Sequence, residues 1–181
     1  KNERLRILRK LYEASLFEQF LNKKYPGQTR FSAEGAEGVV SMLDALFMHM
    51  AKNGCEEIIL GMAHRGRLNI QTNVLQKSYE DVFQEFEQCY DPESFQGYGD
   101  VKYHNGYMAD IDFDGRSIRA VLVNNPSHLE SVDPVVEGVA RARQVNREAG
   151  NGSKVLPVLI HGDSAFAGQG IVAETLNMSQ L

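Results

Sequence analysis

Three apolar runs in this chain each stop at a cluster of polar and glycine residues: EEIILGMAHRGR at 56–67, RAVLVNNPSHLE at 119–130 and KVLPVLIHGD at 154–163. Short apolar runs bounded in this way read as buried strands. The segments between them carry helical periodicity, and strands alternating with helices define an α/β fold with a largely parallel sheet. In such a sheet, ligands bind beyond the carboxyl ends of the strands. The expectation is that His64-Arg65-Gly66-Arg67, Asn125-Pro126-Ser127-His128 and His161-Gly162-Asp163 gather on one rim.

The remaining elements follow from local pattern. Leu5, Leu8, Tyr12, Leu16, Phe20 and Leu21 recur at helical spacing, which predicts a helix from about residue 3 to Lys24, ended by Pro26-Gly27. Ser32 is placed to cap the next helix, which carries Val39, Val40, Leu43, Leu46, Phe47 and Met50 on one face and is closed by Asn53-Gly54. Helices are expected over about 68–77, 79–90 and 134–148, and from Gln169 onward. DPESFQGYGD at 91–100 reads as a loop and AGNGS at 149–153 as a break. Asp114-Gly115 between alternating runs at Tyr107–Asp112 and Arg116–Asn124 signals a small β-hairpin.

Composition bounds the functional classes. With 181 residues, the chain can bury roughly 70% of its unfolded surface without covalent staples. Residues 1–30 hold eight Lys/Arg against three Glu, whereas the remainder holds eleven basic against twenty-one acidic residues. An acidic body argues against nucleic acid as a partner, and no apolar run approaches the ~20 residues that span a membrane. The basic start reads as a solvated helix face; Glu3, Glu13 and Glu18 count against a transit peptide. Cys55 and Cys89, without metal spacing, read as reduced, packed thiols. The chain opens without Met and stops within AETLNMSQL, a helix-like phrase, so it reads as a piece of a longer protein.

Of the five histidines, His49 lies inside a helix and reads as structural. His64, His104, His128 and His161 stand at strand ends or in a Gly-rich turn. Asp163 has two readings, helix N-cap and metal ligand. A cap alone does not explain the small residues after it, whereas backbone N–H groups free of bulky side chains suit phosphate and Mg²⁺ takes one or two carboxylates plus substrate phosphates. HGDSAFAGQG therefore suits an Mg²⁺–diphosphate site. Arg65 and Arg67, in a turn beside His64, suit a phosphate or carboxylate.

RFSAEGAEG, GMAHRGRLN, GDVKYHNG, NNPSHLESVDPVV and HGDSAFAGQGIVAETLNMS resemble the successive signatures of the thiamine-dependent 2-oxoglutarate dehydrogenase component family, in that family's order, over about residues 30–181. The resemblance implies a thiamine-diphosphate-binding fold over residues 31–181, truncated at its C-terminal end, behind a helical lead-in at 1–30. It implies thiamine diphosphate and Mg²⁺ as cofactors, with Asp163 matching the metal ligand. Ser164 and Ala165 match backbone contacts to the diphosphate. Arg65 matches an arginine that contacts the cofactor, and Ser127 and Leu129 fall where the family lines the cofactor pocket. His64 and His104 match histidines that hold the substrate, and His128 is their neighbour. Where general thiamine motifs have Gly-Asp-Gly, this chain has Gly162-Asp163-Ser164. The family's metal-binding Asn and cofactor-activating Glu lie beyond the 181 residues, so these residues alone are expected to be inactive.

The resemblance also implies 2-oxoglutarate as substrate, a homodimer, a lipoyl-bearing acyltransferase partner, and a cytoplasmic (bacterial) or mitochondrial-matrix (eukaryotic) location. Three alternatives stand beside it: a dehydrogenase of 2-oxoadipate or another long 2-oxo acid, a metal-dependent hydrolase using His64, His104, His128 and Asp163, and a non-catalytic phosphate-binding module.

Overall fold

The computed structural model describes residues 2–87, 101–147 and 154–180. The loop expected at 91–100, the break at 149–153 and Cys89 lie outside the described residues. The chain forms two compact units: Lys1–His49 with His64–Asn105, and Met50–Ala63 with Gly106–Leu181.

The first unit is helical. α1 (Asn2–Lys24) and α2 (Gly38–Lys52, whose last turn belongs to the second unit) are joined by the segment 25–37, and α3 (Arg67–Asn73) and α4 (Tyr79–Glu87) follow later in the chain. Phe17, Leu21, Tyr25, Leu68, Val82 and Phe86 form its apolar core. Each fully buried large side chain of this kind contributes roughly 1.5–3 kcal/mol. Buried Glu18 secures the segment after α1, accepting from the Ala33 N–H and from Asn69 Nδ2, both at 3.0 Å. α1 runs where its periodicity predicts, but it buries Ala14, Phe17, Glu18 and Leu21. Leu5, Leu8, Tyr12, Leu16 and Phe20, the more conspicuous stripe, stay exposed.

Ser32 does not cap α2. Its Oγ accepts the Glu34 N–H at 3.0 Å, closing a local turn, and the helix begins only at Gly38. α2 buries Val40, Leu43, Phe47 and Ala51, close to the expected face, and His49 is exposed on it. α3 is shorter than expected, because Gln76 adopts a left-handed φ of 62° just beyond it.

The second unit is an α/β layer. β1 (Glu57–Met62), β2 (Tyr107–Phe113), β3 (Arg116–Leu122) and β4 (Val155–Ile160) form one sheet in the order β2-β3-β1-β4. β1 pairs in parallel with β3 and β4, and β2 pairs antiparallel with β3. The expected hairpin is present: Asp114 (φ 55°) and Gly115 (φ 82°) both take left-handed angles, as a two-residue turn matched to strand twist requires. β1 is buried along its whole length, as the apolar run predicts for a central strand. Pro157 lies in β4, an edge strand of this sheet, where a missing N–H is tolerated.

α5 (Val132–Asn146) covers the sheet, with Val132, Val136 and Ala140 packed against Ile59 and Val155. Gly61 permits that approach: a Cβ there would lie 2.6 Å from Val136 Cγ2 and 2.9 Å from Leu159 Cδ2. After β4 come α6 (Asp163–Gly168), α7 (Gly170–Leu176) and a 3₁₀ turn at Asn177–Gln180. The helix from Gln169 onward is thus present, but an extra turn of helix precedes it. Cys55 is a buried free thiol whose pKa burial pushes up.

Candidate active site

Parallel pairing places the carboxyl ends of β1, β3 and β4 on one edge of the sheet, and Asn125 Nδ2 bonds Met62 O there at 2.8 Å. Two of the three expected polar clusters, Asn125–His128 and His161–Asp163, belong to this unit. The third begins where the chain leaves β1 and, from His64 onward, belongs to the first unit.

In the first unit, His64 and His104 come together, with ring centroids 5.1 Å apart and planes inclined by 34°. Tyr103 lies 5.1 Å from His64 and 5.2 Å from His104, and Phe31 lies 5.0 Å from His64. Both imidazoles are half-buried in this aromatic setting. Phe31 is itself strained, at φ 48°, and its carbonyl accepts the Gly66 N–H at 2.8 Å. Gly66 takes φ 74° and opens α3, and a Cβ there would press on Ala33 Cβ at 3.2 Å. The turn after β1 therefore needs glycine at this position.

The two arginines of that turn diverge. Arg65 is exposed, and its Nη2 donates to Glu34 O at 2.9 Å. Arg67 is 0% exposed, and its guanidinium donates to the Asn105 carbonyl from Nε at 3.1 Å and from Nη2 at 3.0 Å. Burial lowers its pKa to about 10, which leaves it cationic at neutral pH. The expectation that both arginines receive an external anion is corrected for Arg67: its donors are spent inside the fold.

In the second unit, Asp163 is exposed at the start of α6. The cap reading fails, since Gly162 is the N-cap and Asp163 takes the first helical position. Its carboxylate is thus turned to solvent at the end of a strand. Ser164 is exposed and Ala165 half-buried, and a Cβ at Gly162, Gly168 or Gly170 would meet open space. Ser127, at φ 66°, and Leu129, 56% exposed, lie in the loop after β3. His128 is exposed there, with Nδ1 3.0 Å from Pro126 O.

Behind these exposed residues lies a group absent from the sequence-based expectation. Glu130 Oε2 and His161 Nδ1 are hydrogen-bonded, and Asp133 Oδ2 lies 4.0 Å from the same nitrogen. Among the described residues these three form the one group of His, Cys, Asp or Glu side chains close enough to share an ion. The ring nitrogen facing the acids is already taken by Glu130, so the group reads as a strut tying the loop after β3 to the turn after β4. Asp133 is 2% exposed, and its pKa is raised to about 6, first by burial and further by Glu130 and Glu137, against the opposing pull of His161. The signal was available: SHLESVDP sets two acids just past a strand end. Within the first unit His64 and His104, and within the second unit His128 and Asp163, belong to no such group among the described residues.

The sequence of residues 15–181 matches the dehydrogenase E1 component family, and the chain belongs to that family. Among its relatives, the multifunctional 2-oxoglutarate metabolism enzyme of Mycolicibacterium vanbaalenii is 51% identical over 181 residues, covering 97% of this chain and 14% of its own length. The 2-oxoglutarate dehydrogenase E1 component of Cupriavidus necator is 49% identical over 174 residues (96% of this chain, 18% of the relative). That of Azotobacter vinelandii is 46% identical over 181 residues (100% and 19%). The chain thus spans less than a fifth of the length of these curated relatives.

Proposed function

We propose that this chain is part of a 2-oxoglutarate dehydrogenase that decarboxylates 2-oxoglutarate with thiamine diphosphate and Mg²⁺ and passes the succinyl group to a lipoyl arm of an acyltransferase. The observation that carries the reading is the exposed Asp163 carboxylate at the end of β4, followed by small residues and open backbone. A hard oxygen donor facing solvent fits Mg²⁺, and unobstructed backbone fits a diphosphate. Membership of the family and the names of the relatives support the same chemistry.

On this reading Asp163 holds the metal, Ser164 and Ala165 offer backbone to the diphosphate, and Arg65 adds positive charge. Ser127 and Leu129 contact the cofactor from the loop after β3. When bound, thiamine diphosphate supplies a carbon nucleophile for the keto group and a sink for the electrons released with carbon dioxide. His64 and His104 hydrogen-bond the substrate carboxylates and hold or move a proton at a ring nitrogen, a task suited to imidazole. His128, in the loop after β3, assists on the same reading. A homodimer and a cytoplasmic or mitochondrial-matrix location complete the proposal. Among the described residues no helix is long and apolar enough to cross a membrane.

The test is decarboxylation by the intact protein with and without thiamine diphosphate and Mg²⁺, using 2-oxoglutarate and 2-oxoadipate in parallel. Cofactor-dependent turnover that favours 2-oxoglutarate supports the reading. Preference for 2-oxoadipate moves the substrate within the same chemistry, and turnover indifferent to the cofactor overturns it.

A further inference from the structure

We propose that Arg67 is a positioning residue for His104: its guanidinium grips the backbone at His104–Asn105 and so fixes the His104 ring against His64. The inference rests on the reading that His104 touches substrate. It goes beyond that reading by naming what holds the ring in place.

Two prongs of the guanidinium reach one carbonyl, Asn105 O, at 3.1 and 3.0 Å, and Nη2 also lies 3.5 Å from His104 O. Gln71, one helical turn further along α3, sends Nε2 to the same Asn105 oxygen at 2.9 Å. Residues four apart on a helix share a face, so α3 presents two side chains to a single point of the backbone. Both are 0% exposed, and Asn105 is 8% exposed. The carbonyl so gripped is that of the residue after His104, and the N–H of His104 itself is bound to Val101 O at 2.9 Å. The backbone of His104 is thereby held from both sides, leaving its side-chain torsions as the main freedom.

Burying a cation is costly unless it is well hydrogen-bonded, and bonds from an ionised donor are shorter and stronger than neutral ones. A surface arginine recruited for an external anion would not be enclosed in this way. The planar fork matters as well as the charge. A lysine at this place offers a point charge on a flexible stem and cannot hold one oxygen with two parallel N–H groups. The other wall of the imidazole pair comes from the same stretch of chain: Arg67 N bonds His64 O at 3.0 Å. One residue thus touches the backbone of both histidines, through its amide at one and its side chain at the other.

The experiment is a double-mutant cycle in the intact protein. R67M, R67K, H104A and R67M/H104A are compared by kcat and KM for 2-oxoglutarate and by affinity for thiamine diphosphate. R67M is expected to lower kcat/KM by about 10–100-fold, the cost of a misplaced contact group, with cofactor affinity changed by less than about twofold. R67K recovers only part of the loss. In the H104A background the R67M effect shrinks to within about twofold, because a residue that acts through His104 has nothing left to position. Full additivity overturns the inference, since a merely structural role costs the same with or without His104. Unchanged kinetics in R67M also overturn it. If R67M does not fold, Q71M removes one donor to Asn105 O, keeps the guanidinium, and carries the same cycle with a smaller effect. H104A with unchanged kinetics refutes the underlying reading and this inference together, whereas an impaired H104A with additive R67M refutes only the positioning role.

Discussion

In the first unit the candidate residues are held from behind: His64 and His104 are half-buried, framed by Tyr103 and Phe31, and tethered through the buried Arg67 and Gln71. In the second unit they stand in the open. Asp163, Ser164, Ser127 and Leu129 are exposed, and the buried polar groups, Glu130 and Asp133, sit a layer further in. On the proposed reading the contrast matches two different tasks. An imidazole that orients a small substrate must be in one place before the substrate arrives. A carboxylate and a bare backbone that receive a metal and a diphosphate must first be reachable.

The sharpest test of that contrast is Asp163→Ala. Because the side chain is exposed and caps nothing, melting temperature should hold within about 2 °C, as for surface substitutions away from special features. Mg²⁺-supported thiamine diphosphate affinity and activity should fall by at least ~10–100-fold, the range already seen when mere supporting partners of a metal site are removed. A large loss of stability instead would place the residue in the framework. His64→Ala should lower kcat/KM by about 100-fold, the low end of what positioned proton-transfer groups contribute, with cofactor binding retained. A loss of cofactor binding would erase the distinction between the two units.

Stability predictions come next. Asp133 keeps its proton to about pH 6 in the fold but loses it near 3.8 when unfolded. Between those values the unfolded chain has released a proton that the native chain retains, so this group's contribution falls as pH rises, by on the order of 2–3 kcal/mol in all. Asp133→Asn removes the titration, so denaturant midpoints of variant and parent should diverge in the variant's favour from pH 4 to pH 7; parallel curves would refute the assignment. Gly61→Ala should cost about 1–3 kcal/mol by overpacking, because the new methyl meets Val136 and Leu159. The smallest effect belongs to His128→Ala, within about 0.5 kcal/mol for an exposed side chain, read as an unchanged thermal midpoint.

What could be read in advance was local pattern. The Asp114-Gly115 turn, the three apolar strands and the span of α1 all follow from spacing and turn chemistry. What resisted was direction. Both Leu5-Leu8-Tyr12-Leu16-Phe20 and Ala14-Phe17-Leu21 satisfy helical periodicity, and only packing decides which one faces inward. Arg67 was misread for a related reason: an arginine in a turn beside a histidine suggests solvent, and its burial depends on a carbonyl 38 residues away. The pattern predicts helix from Gln169 onward, yet Asp163–Gly168 already form α6, and Gln169, with an extended ψ of 118°, is a break between two helices. Position after an apolar strand does not by itself decide exposure: Asp163 after β4 is exposed, whereas Glu130 and Asp133 after β3 are buried beside His161.

The outward stripe on α1 carries a practical consequence. Leu5, Leu8, Tyr12, Leu16 and Phe20 line up at three- and four-residue intervals and face water, a contiguous oily seam of the kind that makes proteins adhere to one another. A preparation of these 181 residues should therefore turn cloudy at lower concentrations than a formal charge of −5 suggests, and should clear when Leu8 and Leu16 are replaced by glutamate.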